Sequence, residues 1–406
     1  MTKLETMLKY VSEHNEFYKN RIKEYGIKDP LDITQWPILT RKELQENRYN
    51  MFSDGYKSKY FNQQLRRQSS SGSSGVPVNV YWDYKDWYAS NMSLWRKRLQ
   101  WYGIHPSDKY VMFTLNAFNI KNDGETVYYI NDPANILSVN VSLIQNESGY
   151  EKLVDIINEF EPKWLYIQPF VLNRLIQVYK RTGKIPPKTL KYIESVGELL
   201  ASDLRRRAVE FFNVPLANMY GSEEMNGIAY ENPKHTMCVL NDNVFLEIDN
   251  EKQYDKYYGS AIITNLNNKA MPLIRYNQED EIEILPENNA YTTILKSIKG
   301  RVLNCIILSK GEEINPYTLI EAISEVNNYT KDAVDDFEFI YHKYNNVLEY
   351  KLSVNIPDWY DNICFLLESV LKRRLGQDCI LQIERAVDYN MNKSICKKSI
   401  IQIQEF

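Results

Sequence analysis

The sequence is poor in the residues that build metal centres. Its 406 residues include only four histidines and five cysteines. The cysteines are widely spaced, without a CxxC pair, and the histidines are far apart. A structural zinc site needs closely spaced ligand pairs, so none is expected. Reduced thiols in a cytosolic setting are the simplest interpretation of the cysteines.

Long apolar runs and a strong excess of charge are also missing. The chain has no run of about 18 apolar residues, which predicts that it does not span a membrane. Its N-terminal stretch is charged throughout and lacks the apolar segment of a signal peptide. The formal net charge of −4 gives no electrostatic reason to expect nucleic acid as a partner. We therefore expect a cytoplasmic protein.

The chain is long and apolar enough for more than one domain, since 44% of its residues are hydrophobic. Strand-like and helical segments alternate over residues 109–213, a pattern typical of a β-sheet covered by helices. Residues 236–298 indicate mostly strands. The sequence therefore predicts an α/β fold: a large N-terminal domain of helices on mixed β-sheets, residues 1–299, and a small C-terminal α+β domain, residues 300–406.

A serine-rich tract, SSSGSSGVP at residues 69–77, has two interpretations. By composition it is a flexible linker; by context it is a loop whose backbone holds a phosphate. Only 68 residues precede it, and strand-like sequence flanks it on both sides. A connection between two strands of one sheet is therefore favoured. Because it does not fit GxxxxGK[ST], it is not a Walker loop.

Other segments favour the phosphate-binding interpretation. The tract resembles the TSGTTGxP loop of the adenylate-forming enzymes, the superfamily of acyl-CoA synthetases and peptide-synthetase adenylation domains. Further motifs of that superfamily are matched in the same order along the chain. They are SVGE at 195–198, YGSEE at 220–224, PLIRYNQED at 272–280, GRV at 300–302 and NK at 392–393. The N-terminal segments NEFYKNRIKEYGI and WPILTRKEL are similar to the phenylacetate–CoA ligase branch, which includes CapK-type proteins of surface-polysaccharide clusters.

The resemblance implies a two-step reaction. A carboxylic acid and ATP first give an acyl-adenylate and pyrophosphate, and a thiol, usually that of coenzyme A, then displaces AMP. ATP, Mg²⁺ and coenzyme A would be the cofactors, and a small-molecule carboxylic acid the substrate. The large domain would bind nucleotide and acyl group, and the small one would be a mobile lid. A homodimer is compatible with the sequence.

Two alternatives stay open. In one, the acyl group or AMP passes to a carrier protein or a sugar amine. In the other, the chain is a non-catalytic nucleotide-binding scaffold. The loop after residues 109–115 is polar and aromatic, so a small polar, aromatic or sugar-linked acid is a better expectation than a long-chain fatty acid.

The resemblance assigns residues to the phosphates, the adenine and the metal. The tract would wrap the β- and γ-phosphates with Ser70, Ser71, Gly72, Ser73, Ser74 and Gly75. Gly197 and Glu198 would lie along the adenine, and Tyr220 would stack near it. Gly221 would leave room for nucleotide or substrate, with Ser222 beside it in the nucleotide site. Glu224 would hold Mg²⁺, a role that suits a carboxylate.

The ribose and the reacting carboxylate would be held by three further residues. Asp280 would accept hydrogen bonds from both ribose hydroxyls, and Arg301 would approach the ribose or a phosphate. Lys393 would bridge the substrate carboxylate and the α-phosphate, where negative charge develops. Lys397 and Lys398 lie close enough in sequence to be alternatives for this mobile lysine.

Three positions depart from the superfamily's pattern. Glu223 replaces a threonine and places two acids side by side, which repel each other unless a cation or base lies near. Glu279 replaces the glycine before the ribose aspartate, which removes conformational freedom. The usual hinge aspartate is Leu303 or Asn304. These departures keep the scaffold alternative open.

Overall fold

The computed structural model describes residues 1–70, 78–114, 127–144, 146–249, 257–286, 293–301, 306–307, 313–375, 382–385 and 401–404. The chain forms two compact units. The first contains Met1–Pro106 and Ala217–Val302, and the second contains Ser107–Leu216 and Leu303–Phe406. The predicted division into a domain of residues 1–299 and a mobile lid of residues 300–406 stays a prediction.

Helices and strands alternate through much of the described chain. The α-helices are α1 Lys3–His14, α2 Glu16–Glu24, α3 Arg41–Glu46, α4 Tyr56–Phe61, α5 Tyr84–Tyr102, α6 Glu147–Phe160, α7 Pro169–Thr182, α8 Ser202–Phe212, α9 Tyr317–Thr330 and α10 Tyr360–Leu375. The strands are β1 Arg66–Ser69, β2 Asn79–Trp82, β3 Tyr110–Thr114, β4 Tyr128–Asn131, β5 Ile136–Asn140, β6 Trp164–Ile167, β7 Tyr192–Val196, β8 Leu216–Ser222, β9 Asn226–Glu231, β10 Met237–Val239, β11 Val244–Asp249, β12 Tyr258–Asn265, β13 Tyr276–Ile284, β14 Ile294–Arg301, β15 Ile306–Ile307, β16 Glu313–Ile314, β17 Val334–His342, β18 Val347–Val354, β19 Gln382–Arg385 and β20 Ile401–Gln404.

The first unit is built on antiparallel strands. Its sheet has the order β11-β12-β13-β14-β10-β9-β8, and β1 and β2 form a separate antiparallel pair. Helix α1 buries Met7, Leu8 and Val11 in a core shared with Trp36 and Trp82. The apolar side chains of this core come from segments far apart in sequence, so the N-terminal helices fold together with the later strands.

The second unit carries the parallel strands. Its order is β7-β6-β3-β5-β4, parallel except for the edge pair β4–β5. Helices α6, α7 and α8 bury one face each against an apolar core with these strands. Residues 313–404 add a second apolar core under a sheet of order β19-β18-β17-β20 with α9 and α10. The predicted α/β fold is confirmed.

The N-terminal segment forms two successive helices, α1 and α2. Asn15 separates them: its side chain caps α2 by accepting from the Tyr18 amide at 3.2 Å. Its amide group also donates to the Met51 carbonyl at 2.8 Å. No helix in the described ranges is long and apolar enough to cross a membrane.

Candidate functional site

The serine-rich tract closes a β-hairpin. Strands β1 and β2 pair in antiparallel register, with Ser69 opposite Asn79, and the Ser70 amide donates to the Val78 carbonyl at 2.9 Å. The prediction that the tract connects two paired strands is therefore confirmed, and the linker interpretation is wrong. Residues 71–77, which include Ser71, Gly72, Ser73, Ser74 and Gly75, lie outside the described residues.

Ser70 stands at the entry to this loop and is 6% exposed. Its hydroxyl oxygen accepts from the Val78 amide at 2.9 Å and from the Arg41 guanidinium at 3.1 Å. Both ends of the loop are thus fixed by hydrogen bonds to one hydroxyl. Because these ends are already fixed, the loop would lose less conformational entropy on binding an anion.

Glu224 is the most deeply buried acid of the predicted nucleotide site. It lies in the turn between β8 and β9 and is 1% exposed. Neither of its carboxylate oxygens has a hydrogen-bond partner in the structure as described. A buried carboxylate is costly unless a cation or a donor compensates it, and its oxygens are ligands that Mg²⁺ prefers. Glu224 therefore fits the predicted metal role, although a single carboxylate needs phosphate oxygens or waters to complete the coordination.

Arg41 supplies the nearest positive charge. Its Nη1 lies 3.8 Å from Glu224 Oε1, and the two side chains are 9% and 1% exposed. Arg41 is the first residue of α3, whose start is fixed by the capping box of Thr40 and Glu43. Arg41 is not among the site residues predicted from the sequence, because nothing in its local pattern points to residue 224.

Glu223 and Glu224 are adjacent in sequence but have different partners. The exposed Glu223 accepts a hydrogen bond from Gln68 Nε2 at 3.1 Å, and the same Nε2 donates to Asn226 Oδ1 at 3.0 Å. Gln68 belongs to β1, the strand that leads into the serine-rich tract. The two acids are thus compensated separately, one by an amide and the other by a guanidinium.

Tyr220 and Asp280 connect β8 to β13. The Tyr220 hydroxyl donates to Asp280 Oδ2 at 2.6 Å, and Asp280 is 9% exposed. Two residues away on each strand, the Ser222 hydroxyl donates to Gln278 Oε1 at 3.2 Å. Strand register places Arg301 of β14 opposite Asp280. Tyr220, Ser222, Asp280 and the backbone of Arg301 therefore belong to one region of the first unit.

Glu279 adopts a backbone conformation that favours glycine. Its φ is +64°, in the left-handed region. Its amide donates to Asn277 Oδ1 at 2.8 Å, which stabilises this irregular part of β13 locally. A left-handed conformation costs an L-residue roughly 1–2 kcal/mol. The position thus has a backbone geometry that suits glycine, and Glu279 adopts it at the expense of strain.

Gly221 is required by the protein backbone itself. A Cβ atom there would lie 2.5 Å from the Asn226 carbonyl oxygen and 3.1 Å from Met219 Sδ. The β8–β9 pair, which has an irregularity between Tyr220 and Gly221, therefore excludes a side chain. This requirement exists without any ligand, and it adds to the predicted role of Gly221 in leaving room for one.

Arg275 forms a half-buried ion pair in the first unit. Its Nε lies 3.2 Å from Glu247 Oε2, and its Nη1 donates to the Trp36 carbonyl at 2.6 Å. Burial raises the pKa of Glu247, and the Arg275 charge opposes that rise. The pair ties the segment before β13 to β11 and to the N-terminal region of the first unit.

The predicted adenine turn lies in the second unit. Strand β7 ends at Val196, and Gly197 follows with a φ of +77°. This left-handed conformation explains the glycine. Glu198 comes next, and the role of both residues along the adenine stays a prediction.

The other predicted residues cannot be placed. Lys393, with its alternatives Lys397 and Lys398, lies outside the described residues, as do Leu303 and Asn304. For Arg301 the strand is described and the side chain is not. Among the described residues no three histidine, cysteine, aspartate or glutamate side chains form a group that could hold a metal ion.

Comparisons with known proteins identify relatives of this chain at low sequence identity. No family model matches the chain. The phenylacetate–coenzyme A ligase of Pseudomonas putida is 22% identical over 351 residues, covering 82% of this chain and 76% of that protein. The ligase of the same name from Escherichia coli K12 is 22% identical over 341 residues, covering 79% and 74%.

Solved structures agree in fold. A 2-hydroxyisobutyryl-CoA ligase in complex with 2-HIB-AMP has a TM-score of 0.75 at 16% identity, covering 99% of this chain and 88% of that one. An anthranilate CoA ligase in complex with anthranoyl-AMP has a TM-score of 0.55 at 14% identity, covering 80% and 64%. The chain resembles the adenylate-forming superfamily, in its phenylacetate–CoA ligase-like branch, as its sequence motifs predicted. It is an adenylate-forming, acyl-CoA synthetase-like enzyme.

Two of the three departures from the adenylate-forming pattern are accommodated locally. Glu223 is bound by Gln68, and Glu279 takes up the left-handed conformation of the glycine it replaces. The buried Glu224 and the Tyr220–Asp280 hydrogen bond lie in the same unit as the hairpin that carries the serine-rich tract. The adenylate-forming motifs of this unit thus keep a folded, internally compensated arrangement.

Proposed function

We propose that this enzyme joins a carboxylic acid to ATP and passes the acyl group to the thiol of coenzyme A. In the first step a carboxylate oxygen attacks the α-phosphorus, the bond from the α-phosphorus to the bridging oxygen breaks, and pyrophosphate leaves. In the second step the thiol, after losing its proton, attacks the acyl carbonyl carbon and AMP leaves. The observation that carries this proposal is the buried carboxylate of Glu224, which has no hydrogen-bond partner among the described residues.

The phosphate end of the nucleotide would be bound by the tract and Glu224. Residues 70–75 would surround the β- and γ-phosphates with backbone amides and hydroxyls. Glu224 would hold Mg²⁺, which when bound supplies positive charge to the phosphate oxygens. Displacement at phosphorus needs positioning and charge compensation more than a protein nucleophile. The pinned hairpin entry at Ser70 supports this assignment.

The nucleoside end would be bound by strand residues. Asp280 would accept from the ribose hydroxyls, with Tyr220 holding its carboxylate in place at 2.6 Å. Gly197 and Glu198 would lie along the adenine, with Gly221 and Ser222 beside the nucleotide. Arg301, opposite Asp280 in register, would approach the ribose or a phosphate. Lys393 would bridge the substrate carboxylate and the α-phosphate.

The identity of the acid is argued from the sequence and the relatives. The polar, aromatic character of the sequence at residues 118–132 favours a small polar, aromatic or sugar-linked acid. The similar proteins named above are ligases of phenylacetate, 2-hydroxyisobutyrate and anthranilate, which are all small acids. A role in surface-polysaccharide biosynthesis rests only on the resemblance to CapK-type proteins.

The first test is ATP–pyrophosphate exchange with pools of small carboxylic acids and Mg²⁺. The wild-type protein should catalyse acid-dependent exchange. Glu224→Gln should abolish it, because the variant removes the carboxylate that would hold Mg²⁺. Lys393→Ala should reduce it strongly, because it removes the positive charge that would compensate the α-phosphate. Exposed Lys42, which is 83% exposed and near Glu46, provides a control: Lys42→Gln should leave exchange unchanged.

The acceptor is tested in the same reaction mixture. Addition of coenzyme A should convert the adenylate to a thioester, detected by mass spectrometry. Exchange without thioester formation would replace coenzyme A by a carrier-protein thiol or an amine. ATP binding with no exchange for any acid in a broad panel would contradict the ligase proposal and favour a nucleotide-binding scaffold.

A further inference from the structure

One guanidinium contacts both parts of the predicted phosphate and metal site. Arg41 Nη2 donates to the Ser70 hydroxyl at 3.1 Å, while Nη1 lies 3.8 Å from Glu224 Oε1. The three residues come from α3, the end of β1 and the β8–β9 turn. All three are at least nine-tenths buried. Arg41 therefore spans the distance between the loop entry and the buried carboxylate.

The Arg41–Glu224 contact has an unusual geometry for a buried ion pair. Arginine and carboxylate usually form short, paired hydrogen bonds, which occupy both carboxylate oxygens. At 3.8 Å the charge of Glu224 is compensated, but neither oxygen is used for a hydrogen bond within the described part of the chain. The carboxylate is thus kept in place with its lone pairs available to another cation.

We propose that Arg41 is a positioning residue for metal-dependent ATP binding. It holds the Glu224 carboxylate at a fixed separation from Ser70, so that a divalent cation on Glu224 meets phosphates bound by the loop. The proposal rests on the proposed function, since it takes Glu224 as the residue that carries the cation. A lysine in place of Arg41 keeps the charge but lacks the two-nitrogen fork that spans both partners.

The proposal concerns the coupling between Mg²⁺ and ATP. If Arg41 positions Glu224, its loss weakens the effect of Mg²⁺ on ATP affinity more than it weakens ATP binding without metal. If Arg41 instead only binds a phosphate, both affinities fall together and their ratio is kept. Such coupling is a thermodynamic quantity that titration measures directly.

The experiment is isothermal titration of the full-length protein with ATP, once with excess Mg²⁺ and once with EDTA. The readout is the ratio of the two dissociation constants, which does not depend on turnover. In the wild type, Mg²⁺ should tighten ATP binding. In Arg41→Gln this ratio should fall by roughly 10- to 100-fold, the range seen when a residue that orients a metal ligand is removed.

Further variants separate positioning from folding. Arg41→Lys should keep the fold and give an intermediate ratio, which keeps the test valid if Arg41→Gln is unstable. Lys42→Gln removes the neighbouring, exposed charge of the same helix and should leave the ratio unchanged. Combining Arg41→Gln with Glu224→Gln should reduce the ratio no further than Glu224→Gln alone, because both act through one carboxylate.

Two results overturn the inference. An unchanged ratio in Arg41→Gln and Arg41→Lys, with Glu224→Gln reduced, would show that Glu224 binds the cation without help from Arg41. A ratio that Glu224→Gln also leaves unchanged would remove the metal role of Glu224 itself. The Glu224→Gln measurement therefore distinguishes failure of this inference from failure of the proposed function.

Discussion

Glu279 shows that a residue can keep an inherited backbone geometry without the side chain that suits it. Its φ of +64° is one that a glycine adopts freely. One of its carboxylate oxygens, Oε2, is also buried without a hydrogen-bond partner in the described structure. Both features cost free energy in the folded state. Glu279 directly precedes Asp280, whose carboxylate accepts a hydrogen bond from the Tyr220 hydroxyl.

Glu279→Gly should therefore stabilise the protein. Relief of the left-handed strain and of the buried oxygen should add about 1 kcal/mol to the free energy of unfolding, part of it offset by the entropy that glycine adds to the unfolded chain. A shift of the urea midpoint measures this. Glu281→Gly on the same strand is the control and should destabilise, because glycine weakens an ordinary strand position. A lower midpoint for Glu279→Gly would mean that the Glu279 side chain makes a stabilising contact.

At the scale of elements, α3 has only six residues and depends on its cap. The Thr40 hydroxyl accepts from the Glu43 amide at 3.2 Å, and the Glu43 carboxylate accepts from the Thr40 amide at 2.8 Å. Arg41 is the first residue after this cap. A short isolated helix is unstable by itself, so the capping box and tertiary contacts together define where Arg41 starts.

Thr40→Ala should cost about 1 kcal/mol of stability, the usual effect of removing a side-chain N-cap. Thr40→Ser keeps the hydroxyl and should keep most of that free energy. Thermal unfolding of the three proteins under identical conditions checks the order wild type, serine, alanine. Equal losses in Thr40→Ser and Thr40→Ala would assign the effect to the threonine methyl group instead of the cap.

Local signals made several elements predictable. Helix α5 begins at a local signal, the Asp83 cap, whose side chain accepts from the Lys85 amide. The pairing around the serine-rich tract followed from alternating residues on each side. The break at Asn15 was not predictable, because the hydrogen bond from Asn15 to Met51 is a tertiary contact. Arg41 was missed for the same reason, since its partner Glu224 lies in a distant part of the sequence.

At the scale of the whole molecule, the second unit contains two apolar cores. One lies among residues 111–216 and the other among residues 319–375. A set of polar side chains connects them, and we call it the polar seam: Asp203, Arg206, Ser324, Asn327 and Asp332. Asp203 of α8, 3% exposed, accepts from the Ser324 hydroxyl at 2.6 Å and from Asn327 Nδ2 at 2.9 Å. Nearby, Arg206 pairs with Asp332.

The composition of this seam bears on the predicted mobile lid. Movement of the C-terminal segment would have to open these contacts. Opening a polar seam exposes groups that water can solvate, whereas opening an apolar core would expose hydrophobic area at a much higher cost. Because each side has its own apolar core, the predicted movement of the segment would leave both cores intact.

Asp203→Ala tests this division of the second unit. The substitution leaves Ser324, Asn327 and the Arg207 guanidinium, 3.2 Å from Asp203 Oδ2, without their common acceptor. Loss of one partner from a buried charged network typically costs about 3–5 kcal/mol. Hydrogen exchange should accelerate in α8 and α9, where the seam lies, while amides of β17 and β18 within the C-terminal core stay protected. Ser324→Ala, which removes one donor, should give the same pattern more weakly. Loss of protection throughout β17 and β18 would instead mean that the two cores unfold cooperatively. The polar seam would then not be the site of a hinge movement.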